Sequence, residues 1–346
     1  MGEKKIIAYK GFDHRLKCRG FQYNVGETYE QEGKIKCCNN GFHACTKPID
    51  VLNYYEMDYK NRFCMVEQYG EIDSSQSDTK TCSSKIKIKA EIGTIGLFKA
   101  YILRMKEMLN PFKLRIEAKE DTSHSDTQKF LYENCESITS TVNKAKIGST
   151  GHDTKITLSA YGSNVGSSGK RTRIATNGTT AKILSSGDNG IIASSGAFNH
   201  ICSSGNDTLI ASSGTRDIIA SSGESTRIAT SGLGAKIGSI GDCTSIATSG
   251  FHDRIVSSGN SSRMATNSNL SQVESLGDDS VILCGGHNSL AKAKVGSWIT
   301  LSEWEYSENK GRHIPKCVKT EYVDGKRIKG DTWYWLKDGE FKEINI

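Results

Sequence analysis

A nine-residue repeat fills the middle of this 346-residue chain and constrains its fold more than any other feature. A large apolar residue recurs at every ninth position from Ile138 to Ile282, without an insertion. Ser or Thr usually stands two residues after each of these anchors, and Gly stands four residues after most of them. The anchors are Ile138, Ile147, Ile156, Val165, Ile174, Ile183, Ile192, Ile201, Ile210, Ile219, Ile228, Ile237, Ile246, Ile255, Met264, Val273 and Ile282.

The repeat predicts a parallel β-solenoid rather than helices. Nine residues do not make whole helical turns, and a Gly at every ninth position weakens a helix. A short strand centred on a β-branched residue, followed by a turn that Gly permits, fits the pattern. Two nonapeptides would close a flat coil of about 18 residues, with successive coils about 4.8 Å apart. A three-sided coil made of three nonapeptides is the alternative.

The residues around each anchor predict a thin core. Side chains alternate along a strand, so the residues two before and two after each anchor should also face inward. These residues are small and often carry a hydroxyl, as at Thr172, Thr176, Ser185 and Ser203. We expect an isoleucine ladder flanked by small residues, whose hydroxyls bond along the stack and satisfy their buried oxygens.

The chain divides by composition into four segments. Residues 1–96 are rich in aromatic residues and have no repeat; strand patterns and a helix start at Pro48 predict an α+β head domain. Residues 97–137 contain an amphipathic helix and a connector. Residues 138–290 form the solenoid, and residues 291–346 form a small cap of β-hairpins. The predicted fold class is therefore mainly β.

Composition sets the expected environment. The net charge of +6 is spread along the chain with no basic tail, so it indicates neither nucleic acid nor a membrane surface. No apolar run is long enough for a membrane span, and the first residues lack the apolar core of a secretory signal. The eleven cysteines are odd in number and irregularly spaced, which is typical of reduced thiols in a cytoplasm.

Soft metal ligands cluster in the head, but their spacing is unusual. The cluster comprises Cys37, Cys38, His43 and Cys45. Zinc sites prefer two cysteines separated by two to four residues, whereas this segment has adjacent cysteines and a His-x-Cys pair. The repeat likewise lacks the Gly-Gly-x-Gly-x-Asp pattern of calcium-binding nonapeptides. We therefore predict structural thiols, no metal site and no cofactor.

No motif spacing identifies an enzyme. His43, Tyr55 and Glu67, together with Arg19 and Tyr54, could form a pocket similar to that of an ADP-ribosyltransferase. The head would then be an NAD-linked transferase, with His43 and Glu67 side by side in a cleft. Because no nucleophile and base occur at a supporting spacing, the non-enzymatic interpretation is favoured.

A broken basic stripe is predicted along one face of the solenoid. The residue before each anchor should point outward, and on one face this position holds Lys146, Lys182, Lys236 and Arg254. Such a stripe could follow a polyanion such as nucleic acid. The stripe has no aromatic residues interleaved for base stacking. The favoured interpretation is therefore that these cations prevent association between sheets.

All four tryptophans lie near the carboxyl terminus, at positions 298, 304, 333 and 335. An aromatic β-element there would cover the last coil, whose strand edges would otherwise be unpaired. The alternative is that Trp333 and Trp335 form an exposed surface for a partner or for a second copy. The burial of these two rings distinguishes the two interpretations.

Three segments of the chain resemble a group of uncharacterised phage and prophage proteins. The first two are GFDHRLKCRGFQYNVGETYE and GFHACTKPIDVLNYY in the head; the third is DGKRIKGDTWYWLKDGEF at Asp324–Phe341. Proteins of that group place a similar head before a nonapeptide array and end in a similar segment. The resemblance implies a viral or mobile-element origin and a host-cytoplasm location. It implies no activity.

These observations together favour a non-enzymatic phage protein that acts as a scaffold. We expect it to bind, and to block or sequester, a host protein such as a defence component. The alternatives are a structural component of the virion, an NAD-linked transferase in the head, and a rod that binds nucleic acid. No membrane partner is expected, and the sequence leaves a homo-oligomer open.

Overall fold

The computed structural model describes residues 5–74, 78–111 and 128–344. The chain forms two compact units, one up to Tyr101 and one from Ile102 onward. One α-helix, α1 (Gly93–Met108), crosses the boundary between them in sequence. None of the described helices is long and apolar enough to cross a membrane.

The head is a small closed sheet. Its strands are β1 (Ile6–Asp13), β2 (Lys17–Cys18), β3 (Phe21–Gln22), β4 (Thr28–Glu30), β5 (Phe42–Cys45), β6 (Asn61–Ser74) and β7 (Lys80–Glu91). The order β4-β7-β5-β1-β6 closes because β6 also pairs with β7, while β2 and β3 form a separate hairpin. A 3-10 helix, Pro48–Asn53, begins at the proline that the sequence indicated. Apolar side chains such as Phe12, Val66 and Ile86 fill the interior.

The repeat forms the parallel β-solenoid that the sequence predicts. Strands β8 to β16 are Gln128–Leu131, Ser137–Ser140, Lys146–Ser149, Lys155–Leu158, Asn164–Ser167, Arg173–Thr176, Lys182–Ser185, Ile191–Ser194 and His200–Ser203. Strands β17 to β26 are Leu209–Ser212, Ile218–Ser221, Arg227–Thr230, Lys236–Ser239, Ser245–Thr248, Arg254–Ser257, Arg263–Thr266, Gln272–Ser275, Val281–Cys284 and Leu290–Lys292.

The solenoid has two sheets, and each coil consists of two nonapeptides. Ile183 pairs with Ile201, and Ile192 with Ile210, so each anchor lies beside the anchor two repeats later. This register confirms the two-sided coil and excludes the three-sided one. The anchors from Ile147 to Ile282 are at most 2% exposed. The parallel strands run from residue 128 to residue 301, about ten turns, and so extend past the expected range of 138–290.

The recurring glycine has a different cause from the one expected. We expected it to permit a turn, but the left-handed corner position is taken two residues later, usually by another residue type, such as Phe198 (φ 57) or Asp207 (φ 54). The glycine is favoured at this position because the coils approach closely there, although Ala160 and Ser268 take the position in two coils. A Cβ on Gly205 would lie 2.0 Å from the carbonyl oxygen of Gly187 in the preceding coil. The recurring glycine is therefore explained by the short distance between stacked coils, not by the conformation of the turn.

The cap consists of β27 (Trp298–Ser307), β28 (Arg312–Tyr322), β29 (Tyr334–Lys337) and β30 (Glu340–Glu343). Strand β27 continues the parallel stack beside β25 and then pairs antiparallel with β28. Strand β29 pairs with β26 so that Tyr334 lies opposite Ala291, the small residue that replaces an anchor. Tyr334 is fully buried in the solenoid core. A large ring thus compensates for the missing anchor and closes the stack.

Candidate functional sites

The two faces of the solenoid differ in exposure although they share one repeat. On the sheet that contains the even-numbered strands β8–β26, the residue after the anchor is buried in most coils; we call this side the buried face. On the sheet that contains the odd-numbered strands β9–β27, the same position is exposed in most coils; we call this side the open face. Leu184 of the buried face is 2% exposed, whereas Leu283 of the open face is 46% exposed.

The open face carries a column of small residues bordered by larger ones. The column comprises Thr157, Ala175, Ala193, Ala211, Ala229, Ala247 and Ala265, and it ends at the larger Leu283. Beside it, the residues that precede the anchors are Lys155, Arg173, Ile191, Leu209, Arg227, Ser245, Arg263 and Val281. Shallow grooves of about 790 and 800 Å³ flank the column of small residues.

Four cations of this bordering column are exposed: Lys155, Arg173, Arg227 and Arg263. They are interleaved with the aliphatic residues Ile191, Leu209 and Val281 at the spacing of one strand, about 4.8 Å. Among the residues that the structure describes, no salt bridge neutralises any of these four cations. The open face is therefore a mixed apolar and basic strip.

The predicted basic stripe lies on the buried face. Lys146, Lys182 and Lys236 are half-buried, and Arg254 is only 6% exposed. The Nη1 atom of Arg254 donates to the carbonyl oxygens of Asp253 (3.2 Å) and Leu270 (2.7 Å). All four side chains have interaction partners within the chain. This stripe is thus less accessible than the sequence suggested, and the exposed cations lie on the other face.

The cap tryptophans that we considered as an exposed surface are largely covered. Trp333 is 8% exposed, with the Lys292 ammonium 5.9 Å from its ring centroid, and Trp335 is half-buried. The exposed ring is instead Trp298, which lies in register with Val281 and therefore continues the bordering column of the open face. Its ring centroid is 5.1 Å from that of Tyr322 on β28. Both rings are more than two-fifths exposed.

The head contains a cleft of about 720 Å³. Strands β1, β5 and β7, the β2–β3 hairpin and the 3-10 helix contribute to its lining. The lining includes the aromatic residues Phe21, Tyr23, Tyr29, Tyr54 and Tyr55 and the cations Lys10, Arg19 and Lys80. It contains one carboxylate, Glu30, which pairs with Lys85 at 3.1 Å. Lys80 lies 4.0 Å from the Asp78 carboxylate, so the positive charge of this aromatic cleft comes from Lys10 and Arg19.

Lys10 is the most deeply buried cation that lines the cleft, with 5% of its surface exposed. Its Nζ atom donates to the carbonyl oxygen of His43 (2.9 Å) and to Cys18 Sγ (3.4 Å). The ammonium also lies 5.4 Å from the ring centroid of Phe12 and 5.6 Å from that of Tyr23. Burial lowers the pKa of Lys10 because it penalises the charged form.

His43 and Tyr55, two of the proposed catalytic side chains, do line the cleft. The Nε2 atom of His43 accepts the Cys38 N–H (2.8 Å), and burial, followed by the nearby cations, lowers the pKa of the imidazole. Tyr55 donates its hydroxyl to Cys18 Sγ (3.1 Å). Glu67 is not part of the lining; it pairs with Lys5 at 3.2 Å. The cleft thus does not bring His43 and Glu67 together.

The structure brings together a different set of soft metal ligands from the set that is close in sequence. Cys37, His43 and Cys82 have donor atoms within 4.8 Å of one another. Cys82 was missed because it is remote in sequence, but it lies directly opposite His43 in the β5–β7 register. Burial raises the pKa of Cys82 to about 12, and it likewise raises the pKa of Cys37. Both are therefore neutral thiols, and His43 Nε2 is already engaged by the Cys38 N–H.

Comparison with known proteins gives a family match for the head and assigns no activity. Residues 6–100 match the family described as a domain of unknown function, DUF7666. Every residue that lines the cleft falls within this segment. No curated protein and no solved structure matches the chain.

Proposed function

We propose that this chain is a non-enzymatic phage protein that uses the open face of its solenoid to hold an acidic protein of the host. The interaction blocks or sequesters that protein in the host cytoplasm, as an inhibitor of a defence component would. The observation that carries the proposal is the contrast between the faces: the same repeat is buried on one side and leaves a mixed apolar and basic strip exposed on the other.

The composition of the strip favours a protein partner over a nucleic acid. Arg, Trp and Tyr are the residues most enriched at the centres of protein interfaces, and Arg227, Arg263, Trp298 and Tyr322 are of these types. Exposed aliphatic residues such as Leu209 contribute nothing to phosphate contacts. They do contribute when an apolar protein surface covers them. The exposed cations select a partner whose surface carries carboxylates.

The test is capture from a nuclease-treated host lysate with the full-length protein, followed by titration of the purified captured protein. Reversing the charge of Arg173, Arg227 and Arg263 to Glu should weaken binding about 100-fold, since close charge pairs across an interface are strongly coupled. These residues are exposed, so the reversal should leave the fold intact, which circular dichroism checks.

A matched reversal of Arg15, Lys60 and Lys310, exposed cations that lie outside the open face, should leave the affinity within about twofold. Equal losses in both triple variants would contradict the proposal. So would binding that depends on added DNA, which indicates the nucleic-acid rod, or recovery of the protein from purified particles, which indicates a virion component.

A further inference from the structure

We infer that the cleft of the head binds a small phosphorylated compound with a flat aromatic ring, the chemistry of a nucleoside phosphate. This inference is independent of the partner proposed for the solenoid. It follows from three features of the cleft: a buried cation without a counter-ion, a second cation on a rigid turn, and aromatic walls.

The buried cation is Lys10. A buried ammonium normally pairs with a carboxylate, because an uncompensated buried charge is costly. Among the described residues, the only hydrogen-bond acceptors of Lys10 Nζ are the His43 carbonyl oxygen and Cys18 Sγ, and neither is a carboxylate. An anionic group in the cleft would supply the missing charge, and phosphate is the dianion best suited to a Lys ammonium acting as a point charge.

The second cation is Arg19. It forms the two-residue turn of the β2–β3 hairpin with Gly20, and both residues have positive φ, 51° and 81°. Asn-Gly is the preferred pair for such a turn, so an Arg there carries a conformational cost. The Arg19 side chain is exposed, and no salt bridge to it occurs within the described part of the chain. The short hairpin therefore holds a free guanidinium at the cleft.

The aromatic walls suit a planar ring. Phe21 follows the turn directly and is 48% exposed, and its ring packs edge-on against those of Tyr23 and Tyr29, with centroids 4.8 and 5.4 Å away. Tyr54, another lining residue, is equally exposed and has the Lys80 ammonium 4.7 Å from its ring centroid. Two exposed rings that line one cleft provide stacking surfaces for a base, as aromatic side chains do in proteins that bind single-stranded nucleic acids.

The experiment is isothermal titration calorimetry of the full-length protein with AMP, ADP and NAD. Adenosine tests the ring without phosphate, and pyrophosphate tests phosphate without the ring. At least one nucleotide should bind with a dissociation constant below about 100 μM. Adenosine and pyrophosphate should each bind at least about tenfold more weakly, because each lacks one of the two recognised groups.

Arg19→Gln and Lys10→Met should each weaken nucleotide binding at least about tenfold, since each removes a charge-assisted contact. Arg15→Gln should leave binding within twofold, because this exposed arginine lies in the turn before the hairpin and does not line the cleft. Arg19 is exposed, so its variant stays informative even if Lys10→Met does not fold. The triple reversal on the open face should also leave nucleotide binding unchanged, which separates this site from the proposed partner surface.

Three results would overturn the inference. The first is no heat of binding for any of the nucleotides at millimolar concentration. The second is pyrophosphate binding as tightly as the nucleotides, which would show that the rings contribute nothing. The third is an equal loss in Arg15→Gln and Arg19→Gln, which would indicate general attraction to a basic surface rather than a defined site.

Discussion

The polar residues inside the head and those inside the solenoid are placed under different constraints. In the head, each occurs once and meets its own set of partners. Gln68, for example, is fully buried and bonds to the Phe42 carbonyl and to Thr81. In the solenoid, the position two before an anchor recurs along each edge and holds different residues. Along one edge, in successive coils, it holds Ser163, Ala181, Asn199, Asp217, Ala235, Asp253, Ser271 and Ser289.

This difference indicates which buried polar positions tolerate amino-acid substitution. A stacked coil supplies the same neighbours to each repeat, so several small polar side chains satisfy the same position. The head supplies a single arrangement, which only one side chain fits. The two proposed sites follow this difference: the proposed partner surface of the solenoid extends over several repeats, whereas the proposed ligand site of the head is one cleft. Four substitutions test this contrast, and they follow in order of decreasing expected effect.

The recurring glycine should be the solenoid position most sensitive to substitution, although Ala160 and Ser268 occupy the same position in two coils. A Cβ on Gly286 would lie 2.0 Å from the carbonyl oxygen of Ser268, so Gly286→Ala should lower the free energy of unfolding by about 3 kcal/mol. A Cβ on the adjacent Gly285 would meet only the Thr266 carbonyl oxygen, at 3.7 Å. Gly285→Ala should therefore cost less than about 0.5 kcal/mol.

Urea denaturation followed by tryptophan fluorescence measures both glycine variants, because all four tryptophans lie in the cap region at the end of the stack. Similar midpoints for the two variants would show that close stacking of the coils does not require the glycine.

Gln68 tests whether a buried polar residue of the head can be replaced without loss of stability. Gln68→Leu removes the donor to the Phe42 carbonyl (2.7 Å) and the acceptor of the Thr81 hydroxyl, and leaves both groups buried. It should destabilise the head by about 2 kcal/mol. Gln22→Leu is the control: it removes bonds from an exposed amide to the Arg15 and Tyr23 carbonyls (2.9 Å each), and it should cost much less because water can replace them. Hydrogen exchange of β6 and β7 peptides measures the stability of the head. Unchanged protection in Gln68→Leu would show that the head tolerates substitution of its buried polar residues as well as the solenoid does.

Asp217 tests the tolerance of the solenoid. It is fully buried, and burial raises the pKa of its carboxyl group above the ordinary value of 3.8. In the preceding coil, Asn199 occupies the equivalent position, and its side-chain amide donates to Ser194 Oγ (2.8 Å) and the Gly196 carbonyl (2.6 Å). Asp217→Asn should therefore fit and should raise the free energy of unfolding at pH 7 by about 1 kcal/mol.

The pH dependence of this effect has a defined sign. A raised native pKa means that the native state binds the proton more tightly, so wild-type stability falls as pH rises between the ordinary and the raised pKa of Asp217. The advantage of Asp217→Asn should be present at pH 7 and should shrink as pH falls towards 4. An advantage that is the same at both pH values would exclude the ionisation of Asp217 as its cause.

Gly190 offers the smallest effect. On its edge of the solenoid the equivalent residues Thr172 and Thr208 bond to Ser167 and Ser203 (3.0 and 3.1 Å), whereas Ser185 beside Gly190 has no partner for its buried hydroxyl in the described structure. Gly190→Ser should supply the missing hydroxyl and stabilise the chain by about 0.5–1 kcal/mol. Gly190→Ala adds the Cβ alone and should gain less. Equal gains would mean that the hydroxyl–hydroxyl bond within the coil adds no stability.

The sequence by itself determined the solenoid. A fixed period of nine, with β-branched anchors and small flanking residues, is a local rule repeated many times, so a stack of strands was the one arrangement that satisfied it. The same rule placed Thr172 and Ser203 inward and set the coil at two nonapeptides or three. The pairing of Ile183 with Ile201 then showed that each coil contains two nonapeptides.

Only the tertiary structure decided which surfaces are available. The repeat gives both faces the same pattern, so it could not show that Arg254 is buried while Arg227 is exposed, or that Trp298 rather than Trp333 lies open. In the head, the pairing of His43 with Cys82 and the convergence of Lys10, Arg19 and Phe21 join segments that no sequence period relates. Burial and long-range pairing depend on which segments meet in space, and that information is absent from a local pattern.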